Sequence, residues 1–281
     1  MSTYARQVWS LYEPIHSVTY FSPEPLGALK DAGYRGFWMG YFAGRAAPLG
    51  AVGPEPVESS FYNFSHERVA QAVPAAWEFA PPETALDARL RGSVAALRRC
   101  WGPMDPGNVP DLLARAAASP STEGLPLFAA NLALPWPSDP IERIWHAATL
   151  LREHRGDAHV NALRAAGISG RESHVFHAIA EGLPREMYRI ARDFEDDEWA
   201  AVVEALTSRG LISDGSLTPD GQVLKDRIEE ETDEVSAKAF GVLNDQEQAE
   251  LYDLLRPLAK AVVASGDLPL DTPIGLDLRR I

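Results

Sequence analysis

A short segment near the start of the chain returns in altered form past its middle. Ala28-Leu29-Lys30-Asp31-Ala32-Gly33-Tyr34-Arg35-Gly36 is matched by Ala162-Leu163-Arg164-Ala165-Ala166-Gly167-Ile168-Ser169-Gly170, and Phe64-Ser65-His66-Glu67-Arg68-Val69-Ala70 by Phe194-Glu195-Asp196-Asp197-Glu198-Trp199-Ala200. The offset is 134 at the first match and 130 at the second, so the first copy carries about four extra residues between them. Such a chain is expected to fold as two related halves, and symmetric assemblies often place a site at the joint. The 281 residues suit two units of roughly 140. We place them at residues 1–134 and 135–281, divided at Asn131-Leu132-Ala133-Leu134-Pro135-Trp136-Pro137.

Helical periodicity dominates and no series of alternating strands is present, so the expected fold is mostly α. The first half reads as helices around Ala5–His16, from Pro23 behind a Ser22 N-cap, Phe37–Ala47, Val57–Phe61, Ser65–Phe79, Thr84–Trp101 and Asp111–Ala118. Gly53-Pro54-Glu55-Pro56 reads as a loop. In the second half Ser138-Asp139-Pro140 starts a helix that Gly156 is expected to end at Arg155, with a new helix over Ala158–Ala166. Helices near Arg171–Glu181, Pro184–Asp193 and Asp196–Ser208 follow. Leu211-Ile212, the turn Ser213-Asp214-Gly215-Ser216 and Leu217 form a two-stranded hairpin, Asp-Gly supplying the positive-φ turn residues. Thr218 caps Gln222–Ala237, and Asp245–Ala264 is the last long helix.

Forty acids against 26 bases give a net charge of −14, which opposes nucleic acid and anionic membranes at long range. The only cysteine, Cys100, excludes an intrachain disulfide and suits a reducing cytoplasm. Met1-Ser2-Thr3-Tyr4-Ala5-Arg6 leads into no apolar leader, and no run has the length of a membrane span.

The second half follows the element order of a winged helix. Its Arg-Gly-Leu-Ile, Asp-Gly and Leu-Thr-Pro-Asp-Gly run resembles the wing of MarR-type regulators, a likeness covering about residues 141–265. The whole chain also resembles an actinobacterial family of two-part MarR-like helix-turn-helix proteins. That likeness rests on Gly36-Phe37-Trp38-Met39-Gly40-Tyr41-Phe42-Ala43-Gly44-Arg45-Ala46-Ala47-Pro48-Leu49-Gly50, on Phe61-Tyr62-Asn63-Phe64, and on Trp145-His146 through Gly156-Asp157. It implies an N-terminal degenerate copy and a C-terminal MarR-like winged helix with a small β wing. It also implies a small-molecule cleft where the dimerisation helices meet the DNA-binding lobe. DNA recognition is expected to be largely lost. The stretch Asp193–Gly210 carries Asp193, Glu195, Asp196, Asp197, Glu198 and Glu204 against Arg209 alone, where a recognition helix needs bases for phosphates and guanines.

Chemistry-bearing side chains are densest from Trp145 to His159. At 3.6 residues per turn His146, Thr149, Glu153 and Asp157 share one helix face, with His154 beside them. His146 or His154 is the candidate proton donor or acceptor, and Glu153 or Asp157 the residue that orients it. Asp157 can equally cap the helix expected after Gly156, with His159 in its first turn. The spacing His154-x-x-Asp157-x-His159 fits no standard zinc pattern, so no metal is expected. His174 and His177 read as partly buried packing residues.

Gly36, Gly40 and Gly44 form a smooth strip for a crossing helix or a flat ligand. Helical glycine costs ~1 kcal/mol relative to alanine, so close approach is the expected return. Arg45 either clamps a carboxylate or phosphate or pairs with Glu153 or Asp157. Trp38, Tyr41 and Trp145 are candidate walls, and Asn63 and Asn131 candidate amide contacts, although Asn63 is also placed to cap a helix. Arg155 and His159 complete the candidate ligand-binding set. No phosphate loop, nucleophile elbow or paired Cys-x-x-Cys is present, so no cofactor is expected. The sequence therefore reads as a small-molecule-binding protein on a MarR-like scaffold, a cofactor-free enzyme on an aromatic or anionic metabolite being one form of it. The alternative is a ligand-responsive MarR-type regulator; oligomeric state is left open.

Overall fold

Caps and prolines set out the helices largely where the sequence reading expects them. The computed structural model describes residues 3–270 and 275–281; Met1 and Ser2, where the leader reading begins, lie outside them. Helix α1 (Tyr4–Phe21) starts behind Thr3, whose side chain accepts from the Arg6 N–H, and continues past the expected His16 because its buried face runs on through Val18 and Tyr20. Next come α2 (Pro23–Asp31), α3 (Gly36–Ala46), α4 (Pro54–Phe61), α5 (His66–Phe79) and α6 (Pro82–Trp101). After α7 (Val109–Ala118) and α8 (Pro126–Leu132) comes the long α9 (Pro140–Ala165). The chain then forms α10 (Gly170–Glu181), α11 (Arg185–Arg192), α12 (Asp196–Ser208), the strands β1 (Ile212–Ser213) and β2 (Ser216–Leu217), α13 (Pro219–Ala237) and α14 (Asp245–Ala264). In the hairpin Ile212 pairs with Leu217 and Ser213 with Ser216, while Asp214 and Gly215 take φ of +51° and +73°.

Three local expectations are corrected. Gly156 does not end a helix: α9 runs through it to Ala165, because α9 packs against α1, α7, α8 and α13 along its length and that burial outweighs the ~1 kcal/mol penalty of a helical glycine. Asp157 is consequently a buried mid-helix residue, not the N-cap of a new helix. The Pro54-Glu55-Pro56 stretch begins α4, where prolines fit because the first turn needs no N–H donors. Asn131, at the end of α8, is helical and fully buried.

The repeated Ala-Leu…Gly segment is a helix stop. Tyr34 N–H donates to Leu29 O and Ile168 N–H to Leu163 O, with Gly33 and Gly167 at positive φ, the arrangement that closes a helix through a left-handed residue. The same closure recurs at Leu206, Gly210 and Leu211.

The largest core joins α1, α6, α7, α9 and α14 around Tyr12, Leu97, Leu113, Trp145 and Leu255. A second core, around Phe176, Tyr188, Phe194 and Leu206, holds α10 to α13 against the end of α9. Phe42, Phe61, Phe64 and Val73 form a third among α3, α4 and α5. The third and second cores meet where α10 abuts the turn after α4: a Cβ on Gly170 would lie 2.0 Å from the Tyr62 carbonyl oxygen. Tyr62 itself has φ +63°, and its hydroxyl donates to Ile168 O at 2.5 Å.

Candidate functional site

A cleft of about 230 Å³ opens along this junction, walled by α1, α3, the end of α4, α9, α10, α11 and α13. Six cations line it, Arg6, Arg45, Arg152, Arg155, Arg192 and Lys225, against Glu13, Glu181 and Glu229. In a protein of charge −14 this is a local reversal of sign.

Most of the cations are neutralised. Arg45 Nε and Nη2 reach Glu153 Oε1 and Oε2 at 3.3 and 3.2 Å, and Arg152 Nη1 reaches Glu153 Oε2 at 2.8 Å. Of the two roles open to Arg45 from sequence, the geometry is the ion pair; its guanidinium also lies 4.1 Å from the centre of the Phe61 ring. Burial alone would raise the Glu153 carboxyl, but Arg152 and Arg45 hold it at about 2. Arg155 bonds Asp233 at 2.7 Å and stacks over Trp9, Arg6 bonds both Asp233 and Glu229, and Lys225 bonds Glu229 at 2.8 Å.

Arg192 is different. Its Nη1 donates to Ala191 O at 2.8 Å and its plane covers Phe64, while its Nε is buried with no partner. Among the described residues it is in no ion pair, and burial, with Arg45 and Arg152 nearby, pulls the guanidinium below its ordinary value. A buried, unsatisfied charged donor is costly unless an anion completes it.

Three histidines face the same cleft: His159 from α9, and His174 and His177 from α10. Thr232 Oγ1 donates to Ile228 O at 2.7 Å, so it accepts from His159 Nδ1 at 3.1 Å. That leaves His159 Nε2 as an unprotonated acceptor, and burial holds the ring down at about 4, a neutral base at physiological pH. His174 Nε2 donates to Asn63 O at 3.1 Å, and His177 Nε2 is buried without a partner.

Of the residues singled out from sequence, Tyr41, Arg45, Asn63, Arg155 and His159 line the cleft. Glu153 and Trp145 instead line a small separate pocket together with Tyr41 and Arg45. The others are elsewhere. Trp38 packs among Tyr41, Phe42 and Phe64. Asn131 accepts from buried Arg89 at 2.9 Å. His146 lies edge-on to Trp136 and His154 edge-on to Phe128, and burial holds both rings down at about 4. Asp157 accepts the Phe128 N–H at 2.9 Å, so it does cap a helix, but α8 across the fold. Burial raises its carboxyl to about 7. Arg6, Arg152, Arg192, Lys225, His174 and His177 are among the cleft residues that sequence reasoning passed over; the His174–His177 spacing was the available signal. Among the described residues no three metal-ligating side chains converge.

A model of a helix-turn-helix family matches residues 5–269. The chain belongs to that helix-turn-helix family. No curated protein and no solved structure matches it. In this helix-turn-helix protein residues 170–217 carry five arginines and ten carboxylates. Several of those acids are consumed internally: Asp193 pairs with Arg68, Asp196 with Arg185, and Glu198 with Arg171. Glu195, Asp197 and Glu204 remain exposed on or beside α12, and Arg209, the base expected to stand alone, bonds Glu172 at 2.9 Å. Among the described residues no helix is long and apolar enough to cross a membrane.

Proposed function

We propose that this protein binds a small anionic metabolite in the cleft between two related halves, on a MarR-like scaffold whose second half no longer reads DNA. The observation that carries the reading is Arg192: a guanidinium with a buried, unpartnered Nε in a cleft where cations outnumber carboxylates. A carboxylate or phosphate oxygen at that nitrogen gains a charge-assisted hydrogen bond. The cleft lies below the ~300 Å³ of a typical drug-sized pocket, so the anion is small. If chemistry follows binding, His159 Nε2 is the base that faces the ligand, and His146 and His154 act only through packing. Kinship of the halves is supported by their order: α2 to α6 and α9 to α13 repeat helix, glycine stop, helix, short helix, buried phenylalanine and helix, with α2 packed on α6 as α9 is on α13. A cytoplasmic setting fits the single cysteine.

Calorimetric titration with phosphate, succinate and benzoate tests the proposal. Saturable one-to-one binding of at least one probe, weakened tenfold or more in Arg192→Gln, is the expected result. No binding by any of the three, or binding indifferent to that change, counts against it.

Family membership favours one second reading, a ligand-responsive regulator, because the helix-turn-helix order and the hairpin are both intact. With Glu195, Asp197 and Glu204 exposed at α12, we expect no band shift with the protein's own upstream DNA at physiological salt. Nanomolar binding with a steep salt slope selects the regulator instead.

A further inference from the structure

A second cavity, of about 610 Å³, lies between α1, α2 and α3 and shares only Tyr41 with the lining of the cationic cleft. We propose that it is a separate binding site for a monoanionic amphiphile, an apolar body carrying one carboxylate or sulfonate head. Its size is that of a ligand pocket, and its walls are Tyr20, Leu26, Leu29, Tyr34, Phe37 and Tyr41.

The tyrosines present rings, not hydroxyls, to this space, because each hydroxyl is engaged elsewhere. Thr149 Oγ1 donates to Trp145 O and so accepts from His16 Nδ1; His16 Nε2 is left to accept from the Tyr20 hydroxyl at 3.0 Å. The Tyr34 hydroxyl donates to the carbonyls of Ala80 and Pro81 at 3.2 Å, and the Tyr41 hydroxyl accepts from Arg45. Gly36 and Gly40 line the cavity and place nothing in it. Gly40 and Gly44 also touch Leu29 only at ordinary contact range, since a Cβ there would lie 3.5 and 3.6 Å from its side chain. The glycine strip is therefore wider open than helix crossing requires. Lining it too are Lys30 and Arg35, exposed and, among the described residues, in no ion pair, although the Arg35 guanidinium lies 4.4 Å from the centre of the Phe79 ring. Two uncompensated cations beside an apolar cavity select an apolar molecule with an anionic head over a neutral one.

Two fluorescent probes on the full chain test this: anionic 1-anilinonaphthalene-8-sulfonate and neutral N-phenyl-1-naphthylamine. Both are expected to bind saturably at one site, and Gly40→Met, whose side chain would crowd Leu29 in the cavity wall, to weaken both tenfold or more. The double variant Lys30→Ala/Arg35→Ala is expected to weaken the sulfonate alone by about tenfold. Arg192→Gln leaves both unchanged, which separates this site from the cationic cleft. Absence of saturable sulfonate binding, or sulfonate binding untouched by the double variant, overturns the proposal. Lys30 and Arg35 are exposed, so that arm decides even if Gly40→Met does not fold.

Discussion

At the residue scale, Asp157 and Glu153 show one chemical group set to opposite ends by its neighbours. Both are buried on α9. Glu153 sits between two guanidinium groups and stays ionised to about pH 2, whereas burial, helped by the Glu153 charge, carries Asp157 up to about 7 against its backbone donors and the Arg45 charge. A carboxyl whose folded value exceeds its unfolded one holds its proton more tightly when folded, so its contribution to stability falls as pH rises from about 4 to about 7. Asn mimics the protonated form and still accepts from Phe128. We therefore expect Asp157→Asn to equal the wild type near pH 4 and to be more stable by roughly 1–3 kcal/mol at pH 8, measured by urea unfolding. Greater stability of the wild type at pH 8 would mean that the charge itself is needed to cap α8.

At the element scale, two glycines of similar sequence setting do opposite work. Gly156 is simply tolerated within α9: a Cβ there would meet Glu153 and Arg152 at 3.8 and 3.9 Å. Gly156→Ala is expected to raise stability by up to about 1 kcal/mol, the helix-propensity difference. Gly170 is required, since its Cβ would overlap the Tyr62 carbonyl at 2.0 Å and push α10 off the turn after α4. Gly170→Ala should cost about 1–3 kcal/mol, as overpacking does. It should also weaken anion binding, because Tyr62 and Asn63 wall the cleft. Thermal melts of the two variants side by side give the comparison; equal effects would refute it.

At the scale of the whole molecule, six of the seven histidines are folded as neutral rings. Burial lowers His16, His146, His154, His159, His174 and His177, and only exposed His66, beside Glu58, is raised. A histidine lowered on folding contributes stability that is present above its unfolded value near 6.5 and lost as pH falls towards about 4. The three held at about 4 should each lose on the order of 1–2 kcal/mol by pH 5, against which Asp157 and the exposed His66 work in the opposite sense. The melting temperature is expected to fall steeply between pH 6.5 and 5, and a flat profile there would show that the rings are solvated.

Helix content, the helix starts at Asp139 and Thr218 and the Asp214-Gly215 hairpin were legible in the sequence, and the starts of α1 and α14 lay within a turn of where it pointed. Each depends on residues within about four positions, where spacing and side-chain chemistry suffice. The site was only half legible. Arg45, Tyr41, Asn63, Arg155 and His159 stood out as polar or aromatic groups in unusual company, yet nothing local distinguishes His159 from His154, although one faces a cleft and the other Phe128. Their separation follows from α9 running straight through Gly156, a decision made by helices packed on it from distant parts of the chain. The same holds for Arg192, which ends α11 like many helix-terminal arginines. Only the meeting of α3, α9 and α11 leaves it without a carboxylate, because charge balance in a cleft is set by which side chains converge there and not by their neighbours in sequence.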